Sequence, residues 1–267
     1  MASEEQESPR IQHEYSILAQ IYDHVMYDVN YELWARFIDD ILQVHHPKPQ
    51  ELLELACGTG TLSLSLDQIP AYNILATDKS SAMLKQARSK AVDKNAGVQF
   101  RQIDFTHIDL ERTFDAAILL FDSLNYLHSQ DKILDLIAEV ENILNPGGLF
   151  VFDFTTPRNS NLAVKTLNNE TGSAPQNIQY HRRSYFDEVT RLHTNDFLIR
   201  QWNEERTRVQ KTYRELHQQK IYSLSEIVHI LEQTNFNIVA KYSGFDLVEA
   251  DEDSLRITIV ARCQKTR

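Results

Sequence analysis

The run FDAAILLF at 114–121 constrains the fold more than any other stretch of this chain. Seven of its eight residues are apolar, so as a strand it has no face to give to water and needs cover on both sides. Helices crossing over a parallel sheet provide such cover, and the flanking sequence supplies them. Residues 51–56 read as a strand, followed by a glycine-containing turn and a helix near 60–69. A second strand at 73–77 precedes a helix at 81–92, and a third strand falls at 98–103. After the apolar run, a helix from about 130 to 144 stops at Asn145-Pro146-Gly147-Gly148, and 149–154 is a fifth strand. Short strands alternating with helices at this spacing imply βαβ units and a parallel sheet.

The ends of the chain read differently. Apolar and aromatic residues at roughly helical spacing fill 11–28, and Trp34, Phe37, Ile38, Ile41 and Leu42 make a clear helical stripe at 31–44. Pro47 and Pro49 block its continuation. The βα pattern breaks near residue 157. Between 176 and 222 apolar residues alternate with polar ones, which suggests an antiparallel sheet. Ser223 and Glu226 then form a capping-box pattern opening a helix at 224–234, with strands at 236–242 and 255–262. The expected organisation is a helical cap at 1–50, an α/β domain made of 51–157 and 223–267, and a β-rich insertion at 158–222.

A chain of 267 residues, 42% hydrophobic, can bury one sizeable core plus a small lobe. The formal net charge of −11 disfavours a nucleic-acid partner, because an acidic surface repels phosphate. No apolar run approaches the roughly 20 residues that span a bilayer. Its polar, acidic start, MASEEQESPR, fits neither a signal nor a transit peptide. Two distant cysteines, Cys57 and Cys263, make neither a disulfide framework nor a metal site, so no metal is expected and a reducing cytoplasm is the expected location.

The strongest local motif is Glu54-Leu55-Ala56-Cys57-Gly58-Thr59-Gly60, between a strand and a helix. Small residues there let backbone approach a ligand closely. Asp78 ends the second strand 18 residues after Gly60, where an acid can accept hydrogen bonds from a ribose diol. Asp104 and Phe105 follow the third strand, offering an acceptor and an aromatic face for an adenine. Ser63 stands where a dinucleotide fingerprint has its third glycine, which favours a cofactor without phosphates over a nicotinamide dinucleotide.

Together, ELACGTG, Asp78, the QIDF segment, FDAAILLFDSLNYL and LNPGGLFVFDF resemble the class I S-adenosylmethionine-dependent methyltransferases. Order and spacing match from about residue 11 to 156, and the last helix and strand pair also fit. Small bacterial members with an N-terminal Tyr-Asp helix (here Tyr15 and Tyr22-Asp23) and a β insertion, similar to sugar N,N-dimethyltransferases, resemble it more closely. The resemblance implies a seven-stranded, Rossmann-like, mostly parallel sheet with a terminal antiparallel strand. It implies S-adenosylmethionine as cofactor, with Glu54 near the amino group of its methionine part and Ala56, Gly58 and Gly60 lining the turn. Asp78 would bind the ribose, Asp104 the adenine amino group, and Phe105 and Met83 would pack on the ring, with Lys79 where many relatives are apolar. Phe121 would face the sulfonium, and Tyr15 and Tyr22 would close the pocket. Ala56 replaces a more usual glycine, and Tyr126 stands where the sugar enzymes tend to carry histidine.

Methyl transfer needs alignment, worth up to about 7–11 kcal/mol, and a route for the acceptor's proton. Candidate proton acceptors are Tyr126, His128 and Asp122 after the fourth strand, with His181 in the insertion. Each also has a plainer reading: Tyr126 as core, Asp122 as a turn cap, and His128 and His181 as surface residues. Cys57 reads as a small buried residue. Residues 181–220 hold nine Arg or Lys against six Asp or Glu, a modest positive lobe suited to an anionic acceptor or simply to solvent. The expectation is methylation of N or O on a small-molecule acceptor, an amine or amino sugar, by a monomer or homodimer. The alternatives are an RNA or protein methyltransferase and a non-catalytic S-adenosylmethionine-binding subunit.

Overall fold

The computed structural model describes residues 9–265, so the first eight residues of the expected cap lie outside the description. The chain begins with β1 (Arg10–Ile11), a 3-10 turn at Leu18–Gln20, α1 (Tyr22–Val25) and α2 (Tyr31–His45). There follow β2 (Glu51–Leu55), α3 (Thr61–Leu66), β3 (Asn73–Asp78), α4 (Ser81–Lys94), β4 (Gln99–Gln102) and β5 (Phe114–Leu119). After a 3-10 turn at Ser123–Tyr126 come α5 (Gln130–Ile143), β6 (Leu144–Thr155) and α6 (Pro157–Leu167). The strands β7 (Glu170–Ala174), β8 (Ile178–Asp187), β9 (Leu192–Trp202) and β10 (Val209–Lys220) precede α7 (Leu224–Leu231), β11 (Phe236–Ser243) and β12 (Arg256–Cys263).

The main sheet has seven strands in the order β11-β12-β6-β5-β2-β3-β4. From β4 to β6 every pairing is parallel, while β12 runs antiparallel to both β6 and β11. Strand β2 shows why both faces need cover. Leu52 packs with Trp34, Ile38, Ile41 and Leu42 of α2, whereas its neighbour Leu53 packs with Ile133, Leu136 and Ile137 of α5. Full burial of each such side chain stabilises the fold by about 1.5–3 kcal/mol. The chain order reverses between β2 and β5, which opens a crevice at their carboxyl ends.

The second sheet, β1-β10-β9-β8-β7, is antiparallel apart from the β1–β10 pair. Its inward residues Ile178, Tyr180, Phe197 and Ile199 pack on Leu18 and Ile21 of the N-terminal segment. None of the helices among the described residues is long and apolar enough to cross a membrane.

Two departures from the expected elements have physical causes. The helix expected across 11–28 is broken into a 3-10 turn and the four residues of α1, because Tyr15 has φ +56° and the apolar residues serve the second sheet instead of one stripe. The stretch expected to be β-rich from 158 begins with α6, opened by the Thr156 hydroxyl accepting from the Asn159 amide, with Pro157 in the first turn. Elsewhere the shifts are at ends: α3 stops at Leu66, β6 starts at Leu144, and α7 is opened by the Ser223–Glu226 capping box.

Candidate active site

The crevice holds a cavity of about 760 Å³, mouth included. Its floor is the turn after β2, where Ala56, Gly58 and Gly60 all have positive φ, at +51°, +56° and +72°. The Cys57 amide donates to the Thr77 carbonyl over 2.8 Å, tying the turn to β3. Gly60 is required on two counts, since a Cβ would also meet Phe100 at 2.8 Å and Ala87 at 2.9 Å. Gly58 differs, for a Cβ there would meet nothing within 4 Å and Gly58 lines the cavity. Thr59 and Thr61 bond the Asp23 carboxylate of α1, which also takes Lys90 Nζ at 2.6 Å, so the N-terminal segment is latched to this turn.

Two acids flank the floor. Asp78 accepts from the amides of Gly58 at 2.8 Å and Ser80 at 2.7 Å, which opposes the upward push of burial on its carboxyl. Glu54 is 3% exposed and bonds the Ser63 hydroxyl. Burial pushes its carboxyl up to about 8. Both line the cavity, with Lys79, Met83 and Phe105. Lys79 reaches Glu14 at 3.2 Å. Asp104 does not line it. Its carboxylate is exposed and takes the amide and hydroxyl of Thr106 at 2.9 and 2.8 Å, closing its own turn.

Aromatic residues form the roof. Tyr15 and Tyr22 meet edge-to-face with centroids 5.8 Å apart, and the hydroxyls of Tyr15 and Tyr126 share a 2.6 Å hydrogen bond. Burial raises all three phenols, so they stay protonated at neutral pH. Phe121 lines the wall and packs against Trp34 and Tyr31 at 4.7 and 5.2 Å. Phe121 and Asp122 both have positive φ, +58° and +59°, a conformation that side chains other than glycine adopt at a cost of about 1–2 kcal/mol each. A buried clamp holds it: the Asp122 amide donates to Asp153 at 2.9 Å, and Arg256 bridges Asp153 at 2.5 Å and Asp122 at 2.7 Å.

This clamp moves Asp122 out of the candidate bases, because its carboxylate is engaged by Arg256 and does not line the cavity. His128 is exposed beyond the 3-10 turn and donates from Nε2 to the Gln218 carbonyl at 2.9 Å, away from the cavity. His181 sits on β8, outside the cavity as well. Of the four proposed proton acceptors, the structure brings only Tyr126 to the wall. Sequence reading missed Tyr31 and Thr61 in the lining and Asp153 and Arg256 in the clamp. Tyr31 opens the predicted α2 stripe and was legible as a wall residue; Arg256 carried no local mark. Four arginines in or beside the second sheet are also occupied: Arg183 and Arg214 hold Asp196 at 2.5 and 2.7 Å, Arg191 holds Glu226 at 2.5 Å, and Arg182 pairs with Glu170.

Residues 52–148, the segment from β2 into β6, match the family model for a methyltransferase domain. YqeM of Bacillus subtilis (strain 168), which carries the name of a methyltransferase, is 28% identical over 94% of this chain and 98% of its own. A crystal structure of an S-adenosylmethionine-dependent methyltransferase from Clostridium acetobutylicum ATCC 824 superimposes with a TM-score of 0.76 at 25% identity, covering 94% of this chain and 99% of that one. The sugar N-methyltransferase KedS8 from Streptoalloteichus sp ATCC 53650 shares the fold at 18% identity and a TM-score of 0.67, covering 90% and 92%.

Proposed function

From the premise that this chain is an S-adenosylmethionine-dependent methyltransferase, we propose that it methylates a nitrogen or oxygen of a small-molecule acceptor, with amines and amino sugars as the leading class. The observation that carries this reading is the enclosure of the cavity. The N-terminal segment covers it with Tyr15 and Tyr22, and the latch of Asp23 to Thr59 and Thr61 holds that cover down. An enclosed, aromatic-walled space suits a small substrate and not a folded macromolecule.

The residues fit the cofactor. Glu54 is a buried acid whose one side-chain hydrogen-bond partner is Ser63, so the ammonium of a methionine moiety would give it the cation it lacks. Asp78, fixed by two amides, would hold the ribose diol, and the open space at Gly58 leaves room for backbone approach. Met83 and Phe105 offer apolar surface for adenine. When bound, S-adenosylmethionine supplies an electrophilic methyl group on a sulfonium. The chain's own part is to align the acceptor, exclude water and receive a proton. Phe121 and the tyrosines wall the acceptor side, and their ring faces favour cationic groups. The sugar N-methyltransferase activity of KedS8, a protein of the same fold, makes amino sugars a sensible first panel.

The test is transfer of label from methyl-labelled S-adenosylmethionine in a cell extract of small molecules. Label recovered in a low-molecular-weight product supports the reading; label found only in protein or RNA refutes it.

A further inference from the structure

Behind the tyrosine pair lies a second layer of buried polar groups. Tyr126 Oη lies 3.2 Å from Nδ1 of His217 on β10. On the other side of the ring, His217 Nε2 is 3.4 Å from Glu215 Oε2. His217 and Glu215 are 3% and 0% exposed, and they share a face of β10 because they are two residues apart. Glu215 Oε1 is already committed, accepting from the amides of Ile17 at 2.5 Å and Leu18 at 2.9 Å. Oε2 of Glu215 and Nε2 of His217 have no hydrogen-bond partner among the described residues, so each is the other's facing group. The Tyr15 ring packs on the imidazole at 4.6 Å, and Phe197 meets it edge-on at 5.7 Å.

We infer that Tyr126, His217 and Glu215 form a proton relay, entered through the Tyr15–Tyr126 hydroxyl pair, that takes up the proton an N–H or O–H acceptor loses on methylation. Tyr15 and Tyr126 line the cavity, so the chain starts where an acceptor would sit and ends on a carboxylate sealed from water. A buried His–Glu pair away from solvent is costly to keep for packing alone. As a relay it has a use. The acceptor's lone pair forms the new bond to the methyl carbon, and the electrons of the broken carbon–sulfur bond stay on sulfur. The acceptor's X–H bond then breaks with its pair retained on X. Its proton passes to Tyr126 Oη as the Tyr126 proton passes to His217 Nδ1. The resulting imidazolium faces Glu215, and the proton reaches solvent with product release. His217 acts through Tyr126 and is therefore a positioning residue. The charged groups around this assembly are Glu215 on the same strand, Asp122 and Glu14, whose fields reach Tyr126, and Arg182, which sits over the Phe197 ring. Glu215 also links the relay to the cover, since the amides it holds follow Tyr15 directly.

The inference rests on the N–H or O–H acceptor proposed above, so its test is made independent of that acceptor. The full-length protein is labelled with 15N-histidine, and the imidazole resonances are followed by NMR from pH 5 to 9, with His217→Gln for assignment and Tyr126→Phe and Glu215→Gln as probes. Neutral His217 is expected as the Nε2–H tautomer, with Nδ1 accepting from Tyr126 and Nε2–H facing Glu215. Tyr126→Phe should move the Nδ1 resonance towards that of an unbonded nitrogen. Glu215→Gln, which removes the group facing Nε2, should move the Nε2 resonance. Thermal unfolding should show Tyr126→Phe and His217→Gln folded at the temperature of the spectra, which excludes general damage. The Nδ1–H tautomer in the parent protein overturns the relay. So does an Nε2 resonance that Glu215→Gln leaves unmoved. If Glu215→Gln does not fold, the parent tautomer and the Tyr126→Phe response decide the matter. Failure to find any small-molecule acceptor would sink the functional reading without altering these spectra.

Discussion

Gly58 and Gly60 lie in one turn and both have positive φ, yet the structure assigns them different work, and alanine at each position separates stability from binding. At Gly60 an alanine must adopt φ +72° and place Cβ 2.8 Å from the Phe100 ring and 2.9 Å from Ala87. The left-handed conformation costs about 1–2 kcal/mol, and overpacking costs about 1–3 kcal/mol more. Loss of glycine's freedom in the unfolded chain returns about 0.4–1 kcal/mol. The net expectation for Gly60→Ala is a loss of about 2–4 kcal/mol, which lowers Tm by about 4–16 °C in a domain of this size. Alanine at Gly58 meets nothing within 4 Å, so only the backbone cost remains. Gly58→Ala should lose about 1 kcal/mol of stability. It also puts a methyl group into the space beside Asp78, whose carboxylate takes the Gly58 amide at 2.8 Å. Its affinity for S-adenosylhomocysteine should fall at least tenfold. Urea unfolding and calorimetric titration, run on both variants, read the two quantities separately. Equal stability losses, or Gly58→Ala binding within twofold of the parent, would refute the reasoning.

Four further outcomes follow from the same geometry. Asp78→Asn turns an acceptor of the Gly58 and Ser80 amides into a group that presents an NH2 to one of them, so calorimetry should show at least a tenfold weaker Kd for S-adenosylhomocysteine. Glu54 titrates near 8 in the folded protein against about 4.5 ordinarily, so its contribution to stability is fully present below about pH 4.5 and is lost as pH rises through about 8. Glu54→Gln should flatten that part of the ligand-free stability profile, and proton release on binding S-adenosylhomocysteine near pH 7, measured in buffers of different ionisation enthalpy, should vanish with it. Arg256→Met leaves the buried Asp153 and the half-buried Asp122 without their cation, and urea unfolding should report a loss of about 3–5 kcal/mol. Ser223→Ala removes the hydroxyl that accepts from the Glu226 amide, while the Ser223 backbone amide can still donate to the Glu226 carboxylate, and should cost about 1 kcal/mol in the same assay.

The main sheet was legible because its information is local. The runs at 51–56, 73–77 and 114–121 are apolar on consecutive residues, and each is followed within a few positions by an amphipathic helix or a turn. The N-terminal segment was not, because its apolar residues divide between surfaces: Leu18 and Ile21 face the second sheet, while Tyr15 and Tyr22 face the cavity. A single periodicity cannot describe a segment with two burial partners, and the positive φ of Tyr15 carries no sequence mark. The helix α6 was hidden for another reason. Only Ser160 is buried along it, so its pattern is weak, and the βα pattern reads as broken near residue 157, where Pro157 is in fact a first-turn residue.

The same division runs through the cavity. The side formed by Ala56, Gly58, Asp78 and Phe105 comes from the ends of β2, β3 and β4, and each residue ends its strand or follows it within a few positions, whereas Gly60, expected in the lining, lies behind it against Phe100 and Ala87. A reader of the sequence can place it without knowing how the rest of the chain returns. The opposite side is assembled from contacts between residues far apart in the chain. Tyr15 meets Tyr126 across 111 positions, Tyr126 meets His217 across 91, and Arg256 reaches Asp122 across 134. Asp122 and His128 looked like bases because they follow an apolar strand, but the paired positive φ values at Phe121 and Asp122 turn that carboxylate to Arg256, and the 3-10 turn carries His128 on to Gln218. Within the expected chemistry, the part shared by every reaction on the same cofactor is written locally. In the proposed reading, the part that would face an acceptor depends on where β10 and the N-terminal segment close over the sheet. Two chains can therefore share the first part and differ in the second, and His217, absent from any local motif, is the residue whose replacement would report that difference.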